Sequence, residues 1–454
     1  MDGELTTGDA QVIPGIELPP VTTVRDALHG RIALSAPEVA LIGAPQFQRL
    51  DRIQQLGFVS RVWPGARHAR YDHSLGVLHL ARLAVAHLMR SPGGGWIRPS
   101  DARAIAAAAL LHDIGHYPFS HAIEELGPPV RPHEQVGAAM VEAEPLAGIL
   151  REQWGLDPAR VAAILDPASR PLDEPDRVLR GILSGPLDMD KLDYLPRDAR
   201  GCNVPYGGVD TARLIDALSI GEAPGRSGRP ERRILVGAKG VSPLHSLINA
   251  RQEMFDNVYW HHTNRACMAM LLRAVQEALL AGAISAPDLT GHDDASLLAA
   301  LSDPVMPDAT RRLAAALRER RIHQRAGEIG NRATELYGRL GNLFFDPEAR
   351  RAVELGLARG LRERTGGVAP PEAVLIDIPK PEKWRTDVWV RFDTPPVGYQ
   401  SLMPWREVVG LTDDDFKRYE EHRRLIRIVV AEPFREAMAR DWEDLLMPLL
   451  GGVV

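Results

Sequence analysis

Cysteine and lysine are both scarce in this chain of 454 residues. Cys202 and Cys267 are the only cysteines, which excludes a disulfide-stapled scaffold and a thiolate zinc site. The only lysines are Lys191, Lys239, Lys380, Lys383 and Lys417, and every other one of the 54 cations is an Arg. An ordinary surface cation here is therefore an Arg, so a Lys set inside a motif carries information. There is no excess of positive charge: 54 cations against 60 acids give a formal net charge of −6. No global basic field advertises nucleic acid or an anionic membrane. No apolar run approaches the ~20 residues that span a bilayer. Residues 1–20 have no charged-then-apolar leader pattern. The cytoplasm is the expected location. A composition of 45% hydrophobic and 25% charged residues supplies ample core for one large domain with accessory lobes.

What the chain does have is helical periodicity. Residues 1–35 read as a loose arm holding at most a short strand or hairpin. Arg70 opens an amphipathic helix to about Met89, with Leu75, Leu78, Ala81, Val85 and Leu88 on one face. Asp101–Leu111 reads as a buried, Ala-rich helix with Ser100 as its N-cap. Helices are expected from Pro132 to about Trp154 with a kink at Pro145, over Pro158–Leu165, and on both sides of Gly185-Pro186. The stretch from Pro243 to about Leu280 reads as the longest helix. From Ala373 the texture changes, and Val374–Asp377, Val388–Phe392 and Leu425–Val430 read as strands before a terminal helix. The fold class is mainly α: a helical core with a small α/β C-terminal lobe. The expected divisions are an arm at 1–40, a core at 41–285, a helical extension at 286–365 and the α/β lobe at 366–454.

The chemistry concentrates at Ala109-Leu-Leu-His-Asp-Ile-Gly-His-Tyr-Pro-Phe-Ser-His121. An apolar helix runs into His112 and Asp113 where more core would be expected, and Gly115 and Pro118 stop it. A buried ionised Asp is too costly to keep unless it is paired or holds a metal. An Asp–His pair satisfying itself at a helix end is the bland alternative. Against it, other ligand types converge: His73 from the Arg70 helix and Asp190 from Asp188-Met-Asp-Lys-Leu-Asp-Tyr194. His73, His112, Asp113 and Asp190 make a mixed nitrogen and oxygen set that suits a divalent Mn, Fe, Mg, Zn or Ni. Such a site supplies a Lewis acid and a water of lowered pKa.

Three segments, Arg70-Tyr-Asp-His-Ser-Leu-Gly-Val77, the Leu110–His121 run and Leu187-Asp-Met-Asp-Lys-Leu-Asp-Tyr-Leu-Pro-Arg-Asp198, resemble the HD-domain phosphohydrolases. Within them, the closest resemblance is to the deoxynucleoside triphosphate triphosphohydrolase family. The resemblance runs from about Pro45 to Arg265 without a large gap, and more loosely to about Val430. It implies conversion of a dNTP to deoxynucleoside and tripolyphosphate at a metal-bearing site, in a homo-oligomer (dimer to hexamer). It further implies metal ligation by His73, His112, Asp113 and Asp190. His116 and His121 would be the phosphate-binding and proton-donating histidines, and His133 and Glu134 their supporting histidine and acid. Glu124 or Glu134 could orient such a His by accepting its other N–H. Phosphate contacts would fall to Arg70, Lys191, Tyr194 and Arg251. Gln55, Leu56, Asp198 and Tyr259 would lie around the sugar and base.

The chain also departs from the family. In its regulated vertebrate members an acid before the Pro-Gln-Phe-Gln-Arg-Leu segment and an Arg after it bind an activating guanine nucleotide. Here those places hold Gly43 and Asp51. Two competing readings follow from the sequence. One keeps the site but makes it a nucleotidase or phosphomonoesterase on another nucleotide-like substrate. The other is a nucleotide or single-stranded nucleic-acid sensor, for which the Arg-rich stretch Arg311–Arg325 would form a local basic stripe.

Overall fold

The Pro99–Leu111 helix is the axis of the molecule, and its alanines explain why. Ala102, Ala104, Ala107, Ala108 and Ala109 are wholly buried, and their small side chains let neighbouring helices approach closely. The Arg70–Arg90 and Pro158–Leu165 helices pack directly on it. The helix begins one residue before its expected cap. Pro99 takes the first turn, and the Asp101 carboxylate accepts the Arg98 N–H at 2.9 Å. Ser100 therefore lies inside the helix, because a buried Asp at the third position supplies the acceptor in its place.

This computed structural model describes residues 19–451 apart from 169, 226–227, 381–386, 413 and 416–423. Strands β1 (Pro20–Asp26) and β2 (Gly30–Ser35) form an antiparallel hairpin in which Asp26 faces Gly30. The inner half of β2, Ile32–Ser35, is buried, so the described part of the expected arm is a docked element. The Pro132–Trp154 stretch is two helices, His133–Val141 and Leu146–Glu152, since Pro145 ends the ladder outright.

The expected Pro243–Leu280 helix is also two, Val241–Met254 and His262–Leu280, joined by a π-helical turn over Phe255–Tyr259. Beyond that turn His261 leaves helical geometry, and its ring accepts the Thr263 N–H at 3.3 Å, starting the second helix afresh. Apolar periodicity continues across the turn and does not report it. The longest of the described helices is instead Arg70–Arg90.

Seven further strands are β3 (Leu218–Pro224), β4 (Pro230–Gly237), β5 (Gln324–Ile329), β6 (Val374–Asp377), β7 (Trp389–Arg391), β8 (Leu402–Pro404) and β9 (Ile426–Val430). They form one sheet in the order β3-β4-β7-β8 and another in the order β5-β9-β6. Strands on both sides of the expected 366 division thus share sheets. The Pro347–Arg364 and Arg435–Leu450 helices cover the second sheet. The His262–Leu280 helix runs from that sheet to the Ser120–Leu126 turn, linking the C-terminal lobe to the segment that bears His121.

Candidate active site

His112 ends the axial helix, and its ring Nδ1 donates to the Ala109 carbonyl at 2.8 Å. His73, in the first turn of the adjoining helix, gives its Nδ1–H to Asp193 Oδ2 at 2.8 Å. With both Nδ1 atoms placed as donors, each Nε2 is left to face the site, and the two lie 3.2 Å apart. A proton on His73 Nε2 bonds to Asp190, and a divalent cation would take that proton's place. Asp190 Oδ1 lies 3.0 Å from His73 Nε2 and 3.9 Å from His112 Nε2, and the ligand atoms of the three residues fall within 4.8 Å of one another. A divalent cation satisfies this arrangement, and the donor set fits one.

Electrostatics point the same way. Burial works to lower His73, but hydrogen bonds to Asp190 and Asp193 and the charge of Asp113 outweigh it and push the imidazole up to about 10. The pocket holds enough negative charge to stabilise a cation between its nitrogens. Asp113 sits beside the trio, with Oδ1 3.3 Å from His112 Nε2 and Oδ2 3.7 Å from His73 Nε2. Its Oδ2 also accepts from Arg70 Nη1 at 2.5 Å. Burial opposes ionisation of Asp113, yet Arg70 and the two neighbouring histidines hold it well below the usual carboxylate range.

A second cluster lies next door. His116 donates Nε2–H toward Asp113 Oδ1 at 3.2 Å and stacks on His133 with ring centroids 3.8 Å apart. Gly115 makes this possible: a Cβ there would lie 2.1 Å from the His133 carbonyl oxygen, so only glycine lets the two segments close. Glu124 faces all three rings and accepts from His133. Its Oε1 is 3.0 Å from His133 Nδ1, 3.5 Å from His121 Nδ1 and 3.6 Å from His116 Nδ1. Burial acts to raise Glu124, but its hydrogen bonds to His121 and His133 carry it well down. Burial also opposes protonation of His133, and Glu124 reverses this so that the ring is raised. His116, buried and near Arg70, is lowered well below a free histidine. Its Nδ1 has no hydrogen-bond partner.

A cavity of about 1470 Å³ reaches both clusters through some of their members, while His73, His112, Asp113 and His116 are not among its lining residues. Asp190, His121, Glu124, His133 and Glu134 line it, as do Gln55, Leu56, Arg70, Lys191, Tyr194, Asp198, Arg251 and Tyr259. Lys191 is fastened beside the opening, giving Nζ to Asp188 Oδ2 at 2.6 Å and to the Gly185 carbonyl at 2.9 Å. Arg251 lies over the Phe255 ring at 5.5 Å. Tyr194, Tyr259 and Phe255 form an edge-to-face aromatic wall. Asp198 is held from two sides, by Tyr259 OH at 2.6 Å and His68 Nε2 at 2.7 Å. The Gln55 side-chain oxygen Oε1 is buried without a partner.

The sequence reading left Asp193, His68 and Ser120 out of the site. Asp193 follows Asp190 by three residues, so helical spacing already put both on one face. Ser120 Oγ accepts from Arg70 Nε at 3.0 Å, and His68 carries no local signal. Of the two acids offered as orienting groups, Glu124 is the nearer to His133 Nδ1. Glu134 is half-exposed and 3.5 Å away. The Arg311–Arg325 stretch is largely ion-paired: Arg311 with Asp308, Arg312 with Glu372, Arg321 with Glu319, and Arg325 with Glu328. Among the described residues no helix is long and apolar enough to cross a membrane.

Residues 70–183 match the HD domain and residues 209–394 the HD associated region. An uncharacterized protein of Methanocaldococcus jannaschii is 31% identical over 279 residues, 61% of this chain and 54% of that protein. The human deoxynucleoside triphosphate triphosphohydrolase SAMHD1 is 30% identical over 291 residues, 58% of this chain and 45% of that one. The chain spans about half the length of these relatives. A hypothetical protein from Aquifex aeolicus shares the fold with a TM-score of 0.69 at 24% identity, covering 93% of this chain and 99% of that one. A phosphohydrolase from Bacteroides thetaiotaomicron does so with a TM-score of 0.66 at 23% identity, covering 90% and 99%. The chain belongs to the HD-domain family, with the deoxynucleoside triphosphate triphosphohydrolases among its relatives.

Proposed function

We propose that this HD-domain protein is a metal-dependent phosphohydrolase that cleaves deoxynucleoside triphosphates to deoxynucleoside and tripolyphosphate. The observation that carries the reading is the meeting of two clusters at one cavity: Asp190 of the His73–His112–Asp190 trio lines it, and so do His121, Glu124 and His133 of the other cluster. A divalent cation held by His73, His112, Asp113 and Asp190 would supply Lewis acidity and a water of lowered pKa.

The chain's own side chains supply the rest. Cleavage at the α-phosphorus needs a proton for the departing 5′ oxygen. His121 is the histidine of the cluster that is exposed to the cleft, and Glu124 faces its Nδ1. That leaves Nε2 to deliver the proton, a role worth ~10²–10⁴-fold in rate. His133 lines the cavity where phosphate oxygens would approach, and His116, stacked on it, would support it from behind. Glu134 supports His133 from the rim. Arg70, Lys191, Tyr194 and Arg251 would neutralise and orient the triphosphate. Gln55, Leu56, Asp198 and Tyr259 would take the sugar and base, with Leu56 against the 2′ position. An apolar wall rejects an added hydroxyl only modestly, so discrimination against ribonucleotides is modest too.

The substrate is a dNTP and the active form a homo-oligomer, as the family resemblance implies. The ion pairing of Arg311, Arg312, Arg321 and Arg325 weakens the single-stranded nucleic-acid alternative, since most of the charges of that stretch are already partnered. Incubation of metal-loaded protein with each dNTP and NTP, followed by separation of products, tests the reading. Release of intact tripolyphosphate supports it. Release of orthophosphate from a nucleoside monophosphate, with triphosphates untouched, would make the protein a phosphomonoesterase.

A further inference from the structure

We infer that the β1–β2 hairpin is part of the metal-binding apparatus, with His29 at its turn acting as a positioning residue that holds His73 in ligand geometry through Asp193. The inference rests on reading His73 as a metal ligand.

The turn is built to project His29 inward. Asp26 Oδ1 accepts the N–H groups of Leu28 and His29, each at 2.7 Å, and Gly30 closes the turn at φ +73°. His29 Nε2 then meets Asp193 Oδ1 at 2.6 Å. Arg197 Nη1 gives a second tie, to Asp26 Oδ2 at 2.8 Å.

Asp193 has no solvent exposure, and each of its oxygens receives two donors. Oδ1 takes His29 Nε2 and Arg197 Nη2, the latter at 2.9 Å. Oδ2 takes His73 Nδ1 and Arg197 Nε, both at 2.8 Å. A carboxylate offers about four lone-pair sites, so this one is saturated and cannot rotate without breaking a bond. Fixing Asp193 fixes the proton on His73 Nδ1 and sends the Nε2 lone pair toward His112 and Asp190.

Gly76 shows how closely this carboxylate is packed. It lies three residues beyond His73 on the same helix, and a Cβ there would fall 1.9 Å from Asp193 Oδ1 and 2.5 Å from Arg197 Nη2. The glycine makes room for the carboxylate that orients the histidine one turn before it. The hairpin closes the far side of the same carboxylate, so the order runs His29, Asp193, His73, cation.

The test is a calorimetric titration of chelator-stripped full-length protein with Mn²⁺, alongside the thermal midpoint of each metal-free sample. His29→Ala is expected to bind Mn²⁺ about 10–100-fold more weakly, the usual effect of losing a supporting partner of a ligand. His29→Gln, whose Nε2–H reaches the same place, is expected to restore near wild-type affinity. If His29→Ala does not fold, His29→Asn replaces it, because its shorter amide cannot reach Asp193. Wild-type affinity in the Ala or Asn variant would overturn the inference, whatever the midpoint does. So would a His29→Gln variant as weak as His29→Ala, because the hydrogen bond would then not be the cause. A wild-type protein that takes up no Mn²⁺ would instead overturn the metal assignment beneath it.

Discussion

Asp294 accepts the main-chain N–H of Phe119 at 2.7 Å, although 175 residues separate them. Its other oxygen accepts the Gln54 N–H at 3.0 Å. Phe119 and Ser120 both have left-handed backbones, φ 58° and 62°, a conformation costing on the order of 1–3 kcal/mol for each non-glycine residue. The carboxylate therefore pins a strained turn directly before His121, and also the segment that carries Gln55 and Leu56.

Asp294→Ala should let that turn relax and displace His121 while the metal donors stay in place. A misplacement of about 1 Å can cost ~10²-fold in rate, so kcat should fall by about tenfold or more with metal content unchanged. Steady-state kinetics paired with elemental analysis checks this. A variant with wild-type kcat would show that the turn holds itself.

His121→Ala should keep its metal and lose most turnover, by ~10²–10⁴-fold. Glu124→Gln should show a smaller loss and a pH profile shifted to lower pH, since the histidines it faces lose its negative charge. Loss of metal in His121→Ala would make His121 a ligand and remove it from the proton-transfer role.

His323 sets an acid limit on stability. It is 7% exposed, with Nε2 bonded to the Glu372 carbonyl at 3.1 Å. Burial outweighs that contact and pulls the ring from 6.5 down to about 4. The unfolded chain takes up this proton near pH 6.5 and the folded chain only near pH 4. Stability is thus fully present above 6.5 and is lost as pH falls between the two, by about 3 kcal/mol. Urea midpoints at pH 7 and pH 4.5 should show His323→Leu losing less than wild type over this interval. An equal loss would place the acid sensitivity elsewhere.

GTP should not activate this protein through the segment used by the regulated vertebrate members of the family. Gly43 has no side chain to read a guanine, and the exposed Asp51 would face phosphate with like charge, costing ~1–4 kcal/mol. Two of the polar side chains between them are also engaged. Gln48 Nε2 donates to the Ile42 carbonyl at 2.8 Å, and Arg49 donates to the carbonyls of His292 and His116 at 2.8 and 2.6 Å. Rates on a single dNTP with and without GTP should agree. A GTP requirement abolished by Gln48→Ala would mean that the segment binds nucleotide after all.

His112 and Asp113 stand out in the sequence because His and Asp are out of place at the end of an Ala-rich buried helix, whereas His73 and Asp190 sit among polar neighbours and join them only as the family resemblance implies. The helical class was legible because periodicity is strong around Arg70–Arg90. Contacts between remote segments were not. Nothing local at His29 or Asp294 announces a partner 164 or 175 residues away. Nor does apolar spacing distinguish the π turn at Phe255–Tyr259 from continuous helix. The family resemblance implies Glu134 as the supporting acid, and only folding puts Glu124 among three histidines instead.

Phosphorus NMR of dNTP reactions, run on wild type and Asp113→Ala with bound metal quantified in the same samples, tests the central claim most directly. Wild type should hold a divalent ion and accumulate tripolyphosphate, and Asp113→Ala should lose activity and hold less metal. Full activity in Asp113→Ala, or orthophosphate or pyrophosphate as the primary wild-type product, would contradict the account.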